Sequence, residues 1–192
     1  VCCGTGEMTY QQAKIVGSFG QAVGLDFSPN MLENAEKKRA DYPNCNVQFV
    51  EGDALNLPFP DDSFNAATNG FALRNVSDIP KAICEMARVV EVGGRVVCID
   101  VSRPSFPPAR WFFNLYYFKI VPWLGSHLVS GQTISNGYPA YTWLAESLRT
   151  FPPREEIAQM FRDAGLTSVE VQPVGFGAAT IYSGIKTNAD HA

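Results

Sequence analysis

The chain has 192 residues, 46% of them hydrophobic and 18% charged, with a formal net charge of −4. This length and apolar content predict one domain with a sizeable core and exclude a disordered chain. The acidic balance argues against nucleic acid as a partner, which calls for a basic face, and leaves a small cationic cofactor open.

The first nine residues, Val1 to Thr9, read as the end of a buried strand, a glycine turn (Gly4-Thr5-Gly6) and the start of a helix running to Val16. In a parallel α/β domain a ligand sits at such a junction, against the helix N-terminus. The chain starts without Met and with only three residues of the strand that feeds the turn. A further N-terminal part is therefore expected, and the absence of a visible signal peptide says nothing. Ala22–Asp26 is a short apolar strand ending in an acid. Ser28 and Pro29 suit the start of a helix that ends near Tyr42-Pro43. Val47–Val50 is a third strand, closed by Glu51-Gly52-Asp53-Ala54.

Leu57–Phe64 reads as a loop, Asn65–Phe71 as a strand and Asp78–Val90 as a helix with Ile79, Ile83, Met86 and Val90 on one face. Gly93-Gly94 reads as a turn before an apolar strand, Arg95–Val101. Strands alternating with helices predict a doubly wound, mostly parallel sheet with ligands at the C-terminal strand ends. From Pro104 to about Thr150 the rhythm breaks into a densely aromatic stretch around Arg110–Phe118 and Ile120–Leu124. A helical insertion over the site is expected there. Its aromatics suit either ordinary core or a greasy, membrane-facing surface. Arg154–Ala164 is a helix stopped by Gly165. Ser168–Pro173 and Ala178–Lys186 are two strands whose short connection makes them antiparallel. Residues 1–186 form one domain in this reading, with an insertion at about 104–150 and a tail at 187–192.

The five cysteines, Cys2, Cys3, Cys45, Cys84 and Cys98, lack metal-ligand spacing and are expected to be reduced packing residues, with no metal bound. No stretch is long enough to span a membrane, and a cytoplasmic location is expected, with peripheral membrane contact or an organelle left open. Of the two histidines, His127 and His191, His127 is a weak candidate base and no general base is assigned.

Asp26 follows Thr5 by 21 positions, close to the ~20 expected for an acid that accepts hydrogen bonds from ribose hydroxyls; a helix cap is the alternative. Thr9 stands where a dinucleotide fingerprint wants a third glycine, and Glu7 sets a negative charge beside the turn. That combination favours S-adenosylmethionine (SAM), with its ribose, ammonium and sulfonium, over a pyrophosphate cofactor. Asp53 and the Ala54 N–H are placed to meet the adenine, and Gly70 at the end of the fourth strand leaves room near the methyl donor.

With these residues in hand, Val1–Glu7, Gly24–Leu32, Gly52–Phe64, Phe71–Val76 and Val89–Val97 closely resemble the ubiquinone/menaquinone biosynthesis C-methyltransferases, a class I SAM-dependent family. Leu73-Arg74-Asn75-Val76 and Tyr141…Ser147…Phe151-Pro152 resemble that group in particular, and Cys2-Cys3-Gly4-Thr5-Gly6 with Gly24-Leu25-Asp26-Phe27-Ser28 resemble its menaquinone branch most closely. The resemblance runs from Val1 to Lys186. It implies a seven-stranded Rossmann-like sheet with an antiparallel final strand. It places Gly4, Thr5, Gly6, Asp26, Asp53, Ala54 and Gly70 at the cofactor, and it implies methyl transfer to a ring carbon of a prenylated quinol. Arg74 and Asn75 are then the candidates to stabilise the phenolate, and Tyr141 to orient the quinol; an ion pair and core packing are their structural alternatives. Glu7 for the usual Asp, Ala72 for a usual Gly and Tyr182 near a common His are departures from the family pattern. A homo-oligomer is left open. Three competing readings remain: another lipophilic acceptor such as a sterol or phenol, a nucleotide-dependent oxidoreductase, and a SAM-binding fragment without turnover.

Overall fold

The computed structural model describes residues 1–121, 123 and 140–188; within 140–145 only Trp143 has a described side chain. Six strands form among the described residues. Strands β1 (Ala22–Asp26) and β2 (Val47–Glu51) pair in parallel, Ala22 opposite Val47 and Asp26 opposite Glu51. Strands β3 (Phe64–Gly70), β4 (Val90–Val101), β5 (Leu166–Val174) and β6 (Ala179–Lys186) form a second sheet in the order β3-β4-β6-β5. β3 and β4 are parallel, and β6 runs antiparallel to both β4 and β5, as the short connection requires.

The seven-stranded count expected from the resemblance is not what the ladders give. Val1–Cys3 lies between the two sheets. The Val1 nitrogen donates to the Thr68 carbonyl at 2.8 Å and the Cys3 N–H to the Leu25 carbonyl at 2.8 Å. Cys2 sits at φ 55°, far from extended backbone, so three residues make one bond to each neighbour and no regular ladder.

Helices cover both faces. α1 (Glu7–Val16) and α2 (Pro29–Lys37) pack on one face of β1 and β2, around Tyr10, Ala13, Ala22 and Val47. α2 continues as a tight turn over Lys38–Asp41. α3 (Ile79–Val89) carries the strongest apolar stripe, begins at Asp78, whose side chain accepts from the Lys81 N–H at 3.0 Å, and meets Leu25 on the other face. The main core joins α3 to a helix over Arg154–Asp163, through Ile83, Met86, Val96, Cys98, Ile157, Phe161 and Tyr182.

The described residues of the expected insertion are largely helical. α4 (Pro107–Leu115) runs into a wide turn over Tyr116–Ile120, α5 spans Ala140–Thr150, and the Arg154–Asp163 helix is α6. Phe113, Val101 and Leu148 form a small core with Tyr117 and Phe118 against it. The Arg103 and Arg149 guanidinium carbons lie 5.8 and 5.3 Å from the Phe118 ring centre. Among the described residues no helix is long and apolar enough to cross a membrane.

Candidate active site

The glycine turn is built as its composition demands. Gly4 and Gly6 take φ 54° and 76°, the left-handed region that glycine enters at no steric cost. A Cβ on Gly6 would stand 2.7 Å from the Phe49 ring, whereas one on Gly4 would meet nothing within 4 Å. The turn is therefore packed behind at Gly6 and open in front at Gly4, the shape of a cradle. The Gly6 N–H donates to the Cys3 carbonyl at 3.0 Å, and α1 begins one residue later.

Asp26 closes the cradle from the next strand. Its Oδ2 accepts from the Gly4 N–H at 2.7 Å and its Oδ1 from the Ser28 N–H at 3.0 Å. The buried carboxylate thus joins the glycine turn to the residue that precedes α2, without capping an N–H of that helix. Each oxygen retains a second acceptor position for a ribose hydroxyl. Ser28 itself makes no side-chain cap bond. Asp53 stands exposed two residues beyond β2, with Oδ1 accepting from the Leu55 N–H at 2.9 Å, and Ala54 beside it is buried. Gly70 ends β3 opposite Ile99. Gly4, Thr5, Gly6, Asp26, Asp53, Ala54 and Gly70 all stand at the C-terminal edge of the parallel strands, where such sheets hold ligands. An open turn, a helix N-terminus and carboxylates at two successive strand ends fit SAM.

Three neighbours of this edge, Lys38, Tyr42 and Met8, are not signalled by local sequence. Lys38 reaches back from the end of α2 so that its Nζ donates to Thr5 Oγ1 at 3.0 Å and to Glu7 Oε2 at 3.1 Å. The Tyr42 hydroxyl donates to Glu7 Oε1 at 3.2 Å. The hydrogen bond from Lys38 holds the exposed Glu7 carboxyl below its ordinary range. The negative charge beside the turn is thus partnered, and a basic group does stand near the glycines, which weakens the charge argument against a pyrophosphate. The third neighbour is Met8, whose Sδ a Cβ on Gly70 would overlap. The room that Gly70 leaves is taken by the first turn of α1.

Just past β3, Leu73–Asn75 forms a tight turn. Arg74 Nη1 pairs with Asp100 Oδ1; Asp100 is wholly buried and also accepts from the Val101 N–H at 2.7 Å and the Arg74 N–H at 3.3 Å. The ion-pair alternative for Arg74 is therefore present. It does not use the whole guanidinium, because Nε is buried without a hydrogen-bond partner. Asp100 was not singled out from the sequence; an acid inside an apolar strand is the signal that could have found it. Asn75 is exposed, and its Oδ1 accepts from the Trp143 indole N–H of α5 at 3.0 Å. The insertion is thereby tied to the strand end.

Tyr141 belongs to α5, but its side chain lies outside the described residues, as do His127 and His191. A cleft of about 350 Å³ brings together Arg74, Val76, Phe151 and Pro152, so the two stretches that carry the resemblance face one another. A cavity of about 380 Å³ beside Cys84, Arg88 and Lys186 lies at the opposite end of the strands. Burial pushes the thiols of Cys3 and Cys98 up to about 11 and about 12, and the Tyr182 hydroxyl up to about 12, so all three stay protonated near neutrality. Among the described residues no group of three His, Cys, Asp or Glu side chains stands close enough to hold a metal ion.

The comparisons with known proteins agree with this geometry. The sequence profile of the ubiE/COQ5 methyltransferase family matches residues 1–186. A demethylmenaquinone methyltransferase of Geobacillus sp. (strain WCH70) is 44% identical over 186 residues, 97% of this chain and 77% of that protein. A protein of the same name from Halalkalibacterium halodurans is 41% identical over 190 residues, 99% of this chain and 75% of its own length. Among solved structures, a SAM-dependent methyltransferase from Aquifex aeolicus superimposes with a TM-score of 0.66 at 18% identity, covering 96% of this chain and 78% of that one. One from Thermotoga maritima gives 0.64 at 21% identity, covering 97% and 80%. These likenesses establish the class I methyltransferase fold. With a glycine cradle and strand-end acids suited to SAM, and a family profile that spans both, the chain belongs to the ubiE/COQ5 methyltransferase family and is a SAM-dependent methyltransferase.

Proposed function

We propose that this enzyme methylates a ring carbon of a prenylated quinol in menaquinone biosynthesis. The substrate class comes from the demethylmenaquinone methyltransferases it resembles at 44% and 41% identity. One observation of the geometry carries the chemistry: a guanidinium with a buried, unpartnered N–H stands one turn beyond the strand end that neighbours the cofactor edge. A quinol ring carbon is a weak nucleophile until a ring hydroxyl loses its proton, and a fixed cationic donor stabilises the resulting oxyanion.

SAM supplies an electrophilic methyl group on its sulfonium. In this reading the Gly4-Thr5-Gly6 backbone, Asp26, Asp53 and Ala54 hold it against the strand ends, with Met8 rather than open space in front of Gly70. Arg74 faces the developing phenolate and Asp100 holds Arg74 in place. Asn75 ties the Trp143 indole over the site, and Tyr141 of α5 orients the quinol. The protein's contribution is alignment and exclusion of water. Residues 1–186 act as one domain, a division supported by the identical reach of the family profile. Val1–Cys3 takes the place of a central strand that unites the two sheets into one of seven, which the hydrogen bonds on both its sides support. Contact with the membrane in which prenylated quinols dissolve belongs to the same reading, and a homo-oligomer is tested by sedimentation.

Arg74→Ala tests the assignment. Loss of one charge-assisted contact to a developing oxyanion predicts turnover lower by about tenfold or more with SAM affinity retained. Unchanged turnover on a quinol would remove Arg74 from the mechanism. A panel of sterol and phenol acceptors separates this reading from one with another lipophilic substrate.

A further inference from the structure

We infer that the outer face of α4 and the turn that follows it is a docking surface for an anionic lipid bilayer. The inference rests on the quinol reading for its purpose, but it is carried by a separate set of residues. The inner face of this segment is spoken for by Phe113 and Tyr117, packed in the small core with Val101 and Leu148, and by the buried Val121. The outer face should then be polar, as for an ordinary amphipathic helix. Instead it presents Phe106, Trp111, Phe112, Tyr116, Ile120 and Trp123, with Trp111 61% and Phe112 65% exposed. Trp111 and Phe112 pack edge to face at 4.8 Å between centroids, a paired aromatic knob on the surface. Aromatic residues gathered on one exposed face suit the headgroup boundary of a bilayer, where a ring is half buried.

Charge names the partner. The chain carries 19 acidic residues, yet none falls between Val101 and Ala145, while Arg103, Arg110 and Lys119 do. An acidic protein has thus cleared acids from this exposed aromatic segment and kept its cations. Arg110 is braced by backbone carbonyls, Nε to Pro104 and Nη2 to Ser105, both at 3.0 Å, and Lys119 is exposed. Cations flanking exposed aromatics complement a negative lipid surface, and each contributes attraction within a Debye length of it. A second copy of this chain would bring the same cations against themselves. The geometry also gives the surface a use: α4 follows directly on β4, the strand that carries Asp100 beneath Arg74. A bilayer bound at α4 would lie beside the end of the sheet where a lipophilic acceptor has to enter.

The test is vesicle binding by the full chain, with phosphatidylglycerol-containing and purely phosphatidylcholine vesicles, followed by co-sedimentation and by quenching of tryptophan with brominated acyl chains. Binding is expected to the anionic vesicles and to weaken about tenfold or more on neutral ones or in high salt. Trp111→Ser with Phe112→Ser should weaken it by about tenfold or more, since two buried aromatic side chains are removed. Lys119→Glu should weaken it on anionic vesicles alone. All variants should methylate a short-chain, water-soluble quinol at the wild-type rate, which shows that they fold. Equal affinity for both vesicle types, or variants that bind like wild type, would overturn the inference. So would a dimer in sedimentation velocity that the same substitutions dissolve. If vesicles bind and no quinol is methylated, the substrate reading fails and the docking surface stands.

Discussion

Asp26 shows how much one residue can carry. It is buried, it fixes Gly4 with one oxygen and the head of α2 with the other, and in the proposed reading it also meets the ribose. Its position was legible because strand, glycine turn and spacing are all local sequence. Asp26→Ala should weaken SAM binding by calorimetry about tenfold or more, since a buried acceptor shared by two N–H donors and a ligand is lost; wild-type affinity would sink the ribose assignment. Lys38, Met8 and Asp100 were not legible in the same way. Lys38 meets Glu7 across 31 positions, and Arg74 meets Asp100 across 26. Such pairs arise when helices and strands pack, and no local pattern announces them. The acids that end strands are therefore legible in local sequence, and the groups that hold the site's charged side chains are not.

At the scale of elements the fold is legible where a pattern repeats and less so where it breaks. The helix expected from Thr9 begins two residues earlier at Glu7, and Ala22–Asp26 stands as expected. The largest difference is β4, which runs unbroken from Val90 through the expected Gly93-Gly94 turn. The ladder explains it. Phe64 pairs with Val90 and Ala66 with Arg95, so the extra residues of β4 bulge out rather than reverse the chain. Gly93 supplies φ 86° within the bulge, and Gly94 lies under the Asn65 carbonyl, which a Cβ would approach to 2.5 Å. Because that neighbour is backbone, Gly94→Ala should destabilise the fold by about 1–3 kcal/mol, read as a lower urea midpoint at unchanged slope. A midpoint equal to wild type would mean that the bulge relaxes freely. Two adjacent glycines signal a break in regular backbone, but not whether the chain turns or bulges.

In the proposed reading the molecule divides its work between a parallel strand edge that holds the cofactor and an insertion that covers the acceptor. The insertion's helices were expected, but its attachment was not. Trp143 caps Asn75 across 68 positions, and Phe118 is flanked by two guanidinium groups. These contacts place the family's two most particular stretches at one end of the sheet. The claim that unites them is carbon methylation of a quinol ring. It is tested most directly by incubating the purified enzyme with ¹³C-methyl SAM and a reduced, short-chain demethylmenaquinone analogue, then locating the label by NMR. The account predicts a new methyl bonded to a ring carbon, formed only with the reduced acceptor. A label on oxygen, or SAM binding with no labelled quinone, would contradict it.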